Sequence, residues 1–124
     1  MMFRALLWIY LLNAVLLIDH EIDSAYWEEW KLFKLPGGIS LFVVLHLPLL
    51  AVVLYGLVLI ERMAVSGLII SLILALSGLF AFTIHRTFIR RGHDEFTIPT
   101  SQFLLWATLI MSIAQLGVTI YLLA

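Results

Sequence analysis

The sequence predicts an all-α fold: a bundle of four transmembrane helices with a short interfacial amphipathic helix in the first loop. Three observations lead there. Hydrophobic residues make up 64% of the chain and charged residues only 12%, whereas soluble domains carry about a quarter charged residues. The mean hydropathy is +1.12, which leaves too little polar surface to cover a water-soluble core. Four apolar stretches each approach the ~20 residues that a helix needs to cross a hydrocarbon layer. Backbone amides in hydrocarbon must pair within their own segment, so each stretch reads as a helix and not as a strand.

The whole chain, 1–124, reads as a single integral membrane domain. Its helices are expected at about 3–20, 39–60, 63–84 and 101–123, with the interfacial helix at about 24–34. The first stretch follows Arg4 and superficially resembles a secretion signal. It meets Asp19-His20-Glu21 without a small-x-small cleavage pattern, so a retained helix is expected. In the first loop, Tyr26, Trp27, Trp30 and Phe33 recur at helical spacing, with Glu28, Glu29, Lys31 and Lys34 on the other side. Such a face suits the membrane interface, where Trp and Tyr are comfortable. Pro36-Gly37-Gly38 then turns the chain into the second span. Glu61-Arg62 makes a tight hairpin between spans two and three, Gly92 breaks the third span's extension, and Pro99 suits the first turn of the fourth.

Four crossings place both long loops on one face. That face carries Lys31, Lys34, Arg86, Arg90 and Arg91, against Arg4, Arg62 and the terminal amine opposite. The positive-inside rule then sets the long loops in the cytoplasm and both termini outside, in a cell (inner) membrane. The net charge of −1 supplies no basic field, which argues against nucleic acid as a partner. The absence of Cys excludes disulfides, thiolate metal sites and a cysteine nucleophile.

Two features address how the spans associate. Ala64, Gly67, Ser71, Ala75 and Gly78 form one stripe of small residues, which lets helix backbones approach closely, within the bundle or across a homodimer. Asn13 and Gln115 lie at similar depths, about 15 and 12 Å from the same end at 1.5 Å per residue. An amide in hydrocarbon needs a partner, so the first and last spans are expected to be neighbours joined by this pair, for ~0.6 to 2 kcal/mol.

The residues with chemical potential gather at the other end. All four histidines, His20, His46, His85 and His93, and seven of the eight acids belong to the long-loop half. Topology accounts for much of that segregation, because the loops hold nearly all extramembrane residues. His46 is the exception, standing inside an apolar run about 10 Å deep by helical rise. Intramembrane ionisable residues are expensive and often mark sites. Pro48 frees a backbone carbonyl near Val44, and a histidine bonded to such a carbonyl is the plainer alternative. Imidazole and carboxylate are the ligand set of Zn²⁺ and non-haem Fe²⁺. The expected site is therefore a Zn or Fe centre of His20, His46 and His85, with Glu21 or Asp23 as a further ligand or base and His93 a weaker candidate. Glu28, Glu29, Lys31 and Lys34 read as a solvated face.

The run from His20-Glu21 through Asp23-Ser24, Trp27, Glu29-Trp30 and Leu35-Pro36-Gly37-Gly38, then His46-Leu47-Pro48, resembles a family of small bacterial four-helix membrane proteins of unknown function. The resemblance covers mainly the first half of the chain. It implies an integral membrane location and no activity. Two functional expectations stand side by side. One is a metal-binding membrane protein acting on a lipid-like substrate as a hydrolase or oxidase. The other is a non-catalytic accessory subunit or scaffold that docks a membrane partner protein through its polar loops. An ion pathway is disfavoured because no charged residue enters the outer half of any span beyond Arg4 and Glu61-Arg62.

Overall fold

The computed structural model describes every residue, Met1–Ala124. Five helices follow in order: α1 (Met2–Tyr26), α2 (Glu29–Leu32), α3 (Gly38–Glu61), α4 (Val65–Arg90) and α5 (Pro99–Leu123). All but α2 are long and apolar enough to cross a membrane, the pattern of a multi-pass membrane protein. These four close a ring in the order α1, α3, α4, α5, with α4 packed most extensively on α5. Outward faces are apolar, as Leu47, Ile73, Phe80 and Ile110 illustrate, all more than half exposed. In hydrocarbon such a surface is the matched one.

Helix ends explain the connections. α3 stops where Met63 enters the left-handed region (φ 54°). Met63 N–H then donates to Ile60 O at 2.9 Å and Ala64 N–H to Leu59 O at 2.9 Å. That pairing is a Schellman closure, which satisfies carbonyls left open by the last turn. The same device recurs at Gly92 (φ 92°), where Gly92 and His93 bond back to Ile89 and Phe88. α4 accordingly continues past Ile84, and His85 lies inside the helix and not at its end.

The first loop departs from the expected helix over 24–34. No continuous helix forms there: α1 itself runs on through Tyr26, and only a four-residue turn, α2, follows. Trp27 Nε1–H donates to Asp23 Oδ1 at 3.0 Å and fastens the last turn of α1. Glu28 then adopts φ 53°, a left-handed conformation that costs a non-glycine residue roughly 1–2 kcal/mol. The chain reverses at that residue, and α2 folds back over the bundle end, with the Phe33 ring against Phe88 of α4.

Inside the ring the small-residue stripe lies at the helix contacts. A Cβ on Gly67 would sit 2.7 Å from the Ile60 backbone nitrogen, and one on Gly78 would collide with the Ser112 hydroxyl. Gly67, Ser71, Ala75 and Gly78 are buried, while Ala64 caps the start of α4 at its half-buried edge. Asn13 Nδ2–H donates to Gln115 Oε1 at 2.9 Å and to Ser112 Oγ at 3.1 Å. Gln115 Nε2–H in turn reaches Ser71 O at 2.9 Å, and Ser71 meets Thr119 at 2.8 Å. Tyr10 adds a separate tie, donating its hydroxyl proton to Val53 O at 2.5 Å over the space left by Gly56.

Candidate metal centre

At the loop end of the ring, three elements bring one donor each to a common point. His20 lies on the inner face of α1, one turn before Ser24. His85 lies on the inner face of α4, and Glu29 opens α2. One ligand atom from each lies within 4.8 Å of the others. Both imidazoles are 1% exposed, and the Glu29 side chain is 12% exposed. Tetrahedral ligands 2.0–2.1 Å from a zinc ion stand about 3.4 Å apart, so closure on an ion asks for side-chain shifts of roughly 1 Å.

The ring nitrogens of the cluster are only partly engaged in hydrogen bonds. His85 Nδ1–H donates to Ala81 O at 2.6 Å, which leaves Nε2 with its lone pair in the neutral ring. Nε2 stands 3.0 Å from Glu29 Oε1 yet makes no hydrogen bond. At that separation a cation, either a proton on Nε2 or a metal ion, lies between the ring and the carboxylate. A ring whose other nitrogen is held by a backbone carbonyl is also how metal-bound histidines are oriented. His20 is similar: its Nδ1 is buried without a partner, and its Nε2 reaches Ser24 Oγ only at 3.5 Å. Burial alone would raise the Glu29 carboxyl, but the His85 ring, the Ser24 hydroxyl and His20 outweigh it and hold it below the usual carboxylate range. Glu29 is therefore the anionic member of the set.

Phe96 seals the cluster. Its ring centroid is 4.2 Å from that of His85 and 5.7 Å from that of His20, and the residue is 1% exposed. It sits at φ 68°, an outlying conformation for an aromatic residue. Gln102 Nε2–H donates to Phe96 O at 2.7 Å and secures that backbone.

His46, expected among the ligands, is directed elsewhere. Its Nδ1 bonds Phe42 O at 2.6 Å, one turn back, and not the carbonyl that Pro48 frees near Val44. Its Nε2 meets Glu21 Oε2 at 2.6 Å, and its ring stacks on Phe42 at 4.0 Å. With the Nδ1 proton given to Phe42, a second proton must lie between Nε2 and Oε2, making the pair neutral as a unit. Glu21 is thereby engaged by His46. Asp23 is engaged by Trp27, and His93 lies on the loop, 44% exposed and 3.7 Å from Glu95. Of the expected ligands, His20 and His85 converge, while His46, Glu21, Asp23 and His93 do not join them.

Glu29 and Phe96 are the residues that sequence reasoning missed. Glu29 shares its composition with Glu28, Lys31 and Lys34, so the sequence reads it onto a solvated helix face. The break at Glu28, which no glycine or proline announces, turns Glu29 inward. Phe96 carries no periodic signal, since it comes from a loop.

Two histidines and one carboxylate leave coordination positions open. That set suits Zn²⁺ for activating water and Fe²⁺ in the facial-triad manner. A cavity of about 280 Å³ adjoins Glu29, bounded by Glu21, Trp30, Phe42, Leu45 and His46. Comparison with curated proteins and with solved structures gives no match. A family described as being of unknown function, DUF6713, matches residues 6–122. With that match spanning nearly the whole bundle, from the first turns of α1 to the last turn of α5, the chain belongs to the DUF6713 family.

Proposed function

We propose that this chain is an inner-membrane protein that holds one divalent metal ion, Zn²⁺ or Fe²⁺, between His20, Glu29 and His85. The carrying observation is the buried convergence of one ligand atom each from His20, Glu29 and His85 within 4.8 Å, with His20 Nδ1 and His85 Nε2 both lacking a hydrogen bond. The centre lies at the face with both long loops. Five basic side chains there, against two and the terminal amine opposite, favour the cytoplasm for that face and the outside for both termini.

Elemental analysis of protein purified in mild detergent tests the reading. One equivalent of zinc or iron per chain is expected, absent from the His85→Ala and Glu29→Gln variants and retained by His46→Ala. Metal-free wild-type protein after supplementation, copurifying with a stable membrane partner, would instead favour the accessory-subunit reading. Retention of metal by both site variants would move the centre elsewhere.

A further inference from the structure

The 280 Å³ cavity has a mixed lining: Glu29, Glu21 and His46 are polar, Trp30, Phe42, Leu45 and Leu49 apolar, and it touches the metal cluster through Glu29. A separate cavity of about 130 Å³ shares the lining residues Glu21 and Leu49 and lies among Leu17, Val53 and Leu74. Leu45 and Leu49 are about half exposed on α3, a helix long and apolar enough to cross a membrane, so this part of the lining borders acyl chains in a bilayer. The volume lies at the low end of small-molecule sites, which suits one head group and one chain and not a two-chain lipid.

Charge narrows the head group. The Glu21–His46 pair is neutral as a unit, so Glu29 is the one further anionic group lining the cavity. Together with a divalent ion this leaves one positive charge, complementary to a single anionic or carbonyl oxygen. With three protein ligands, the ion keeps room for that oxygen.

We infer that the cavity binds a single-chain acyl compound from the bilayer, with its carboxylate or carbonyl oxygen on the metal beside Glu29 and its chain along Phe42, Leu45 and Leu49. This rests on the metal reading above for its head-group half. The chain half rests on the cavity alone.

The test uses full-length protein loaded with Co²⁺, whose visible absorption reports its ligands, titrated with acetohydroxamate and octanohydroxamate. The octyl probe should bind at least tenfold more tightly. Leu45→Trp fills the lateral opening at a half-exposed position, and should bring the two probes within about twofold while leaving Co²⁺ uptake and acetohydroxamate binding unchanged. Equal affinities in wild-type protein, or a chain-length advantage that survives Leu45→Trp, would overturn the inference. Failure to take up Co²⁺ would overturn the metal reading and the head-group half. The chain half is then decided by photo-crosslinking with a diazirine-bearing decanoate. Labelling of residues 30–49 that excess decanoate suppresses, and that Leu45→Trp abolishes, supports it; unsuppressed labelling spread over all outward faces overturns it.

Discussion

Two buried polar clusters occupy this bundle, and they differ in how their hydrogen bonds close. In mid-bundle, Asn13, Ser71, Ser112, Gln115 and Thr119 bond mainly to one another at 2.8–3.1 Å, and of their side-chain atoms only Asn13 Oδ1 is left buried without a partner. At the loop end, His20, Glu29 and His85 bring their ligand atoms only within 4.8 Å of one another, and two ring nitrogens have no hydrogen bond. A tightly bonded network holds helices together, whereas the looser convergence of imidazoles and carboxylate leaves room for the proposed cation. Burial and polarity alone do not tell the two apart, whereas the spacing and chemical type of the polar atoms do.

The comparison can be broken most sharply at the metal. His85→Ala should lower metal affinity more than about 100-fold, beyond what loss of a supporting residue costs, whereas Gln115→Leu should leave affinity within a few-fold. Competition against a chelator of known strength measures both. Equal effects would erase the distinction between the clusters.

Phe96→Ala comes next. Removing the ring from against His20 and His85 should cost about 3 kcal/mol by the range for buried Phe, and should speed metal exchange with a chelator. Unchanged exchange would mean that Phe96 is not the seal. Gly78→Val should destabilise the α4–α5 contact by about 1–3 kcal/mol, because its Cβ meets the Ser112 side chain. Reversible unfolding in mixed micelles reads this, and metal content per folded chain should not change. The smallest effect belongs to Gln115→Leu, which removes the bonds to Asn13 and Ser71 for about 0.6 to 2 kcal/mol on the same assay. A neutral result would show that the unfolded chain in the micelle finds equivalent partners.

Some of this was legible in the sequence, and the reasons are local or one-dimensional. Apolar run length announces a span, because the hydrocarbon thickness sets a fixed number of helical residues. Depth along a span can also be counted, and the matched depths of Asn13 and Gln115 point to neighbouring helices whose amides lie 2.9 Å apart. His20 and His85 could be selected in the same way, as residues near the same end of two spans. His46 satisfied that criterion equally, but depth says nothing about rotation around the helix axis, and α3 turns His46 toward Glu21.

The amino-acid sequence by itself therefore determined the helical class, the four long apolar segments and which end would collect the histidines. Each follows from composition and from the length of runs along the chain. Only the tertiary structure decided which residues make the candidate centre. Glu29 reaches it through a reversal at Glu28 that α1, Trp27 and Phe33 impose together, and Phe96 through a loop conformation secured by Gln102. Both depend on contacts between distant segments that sustain unfavourable left-handed backbone, and no local pattern encodes such contacts.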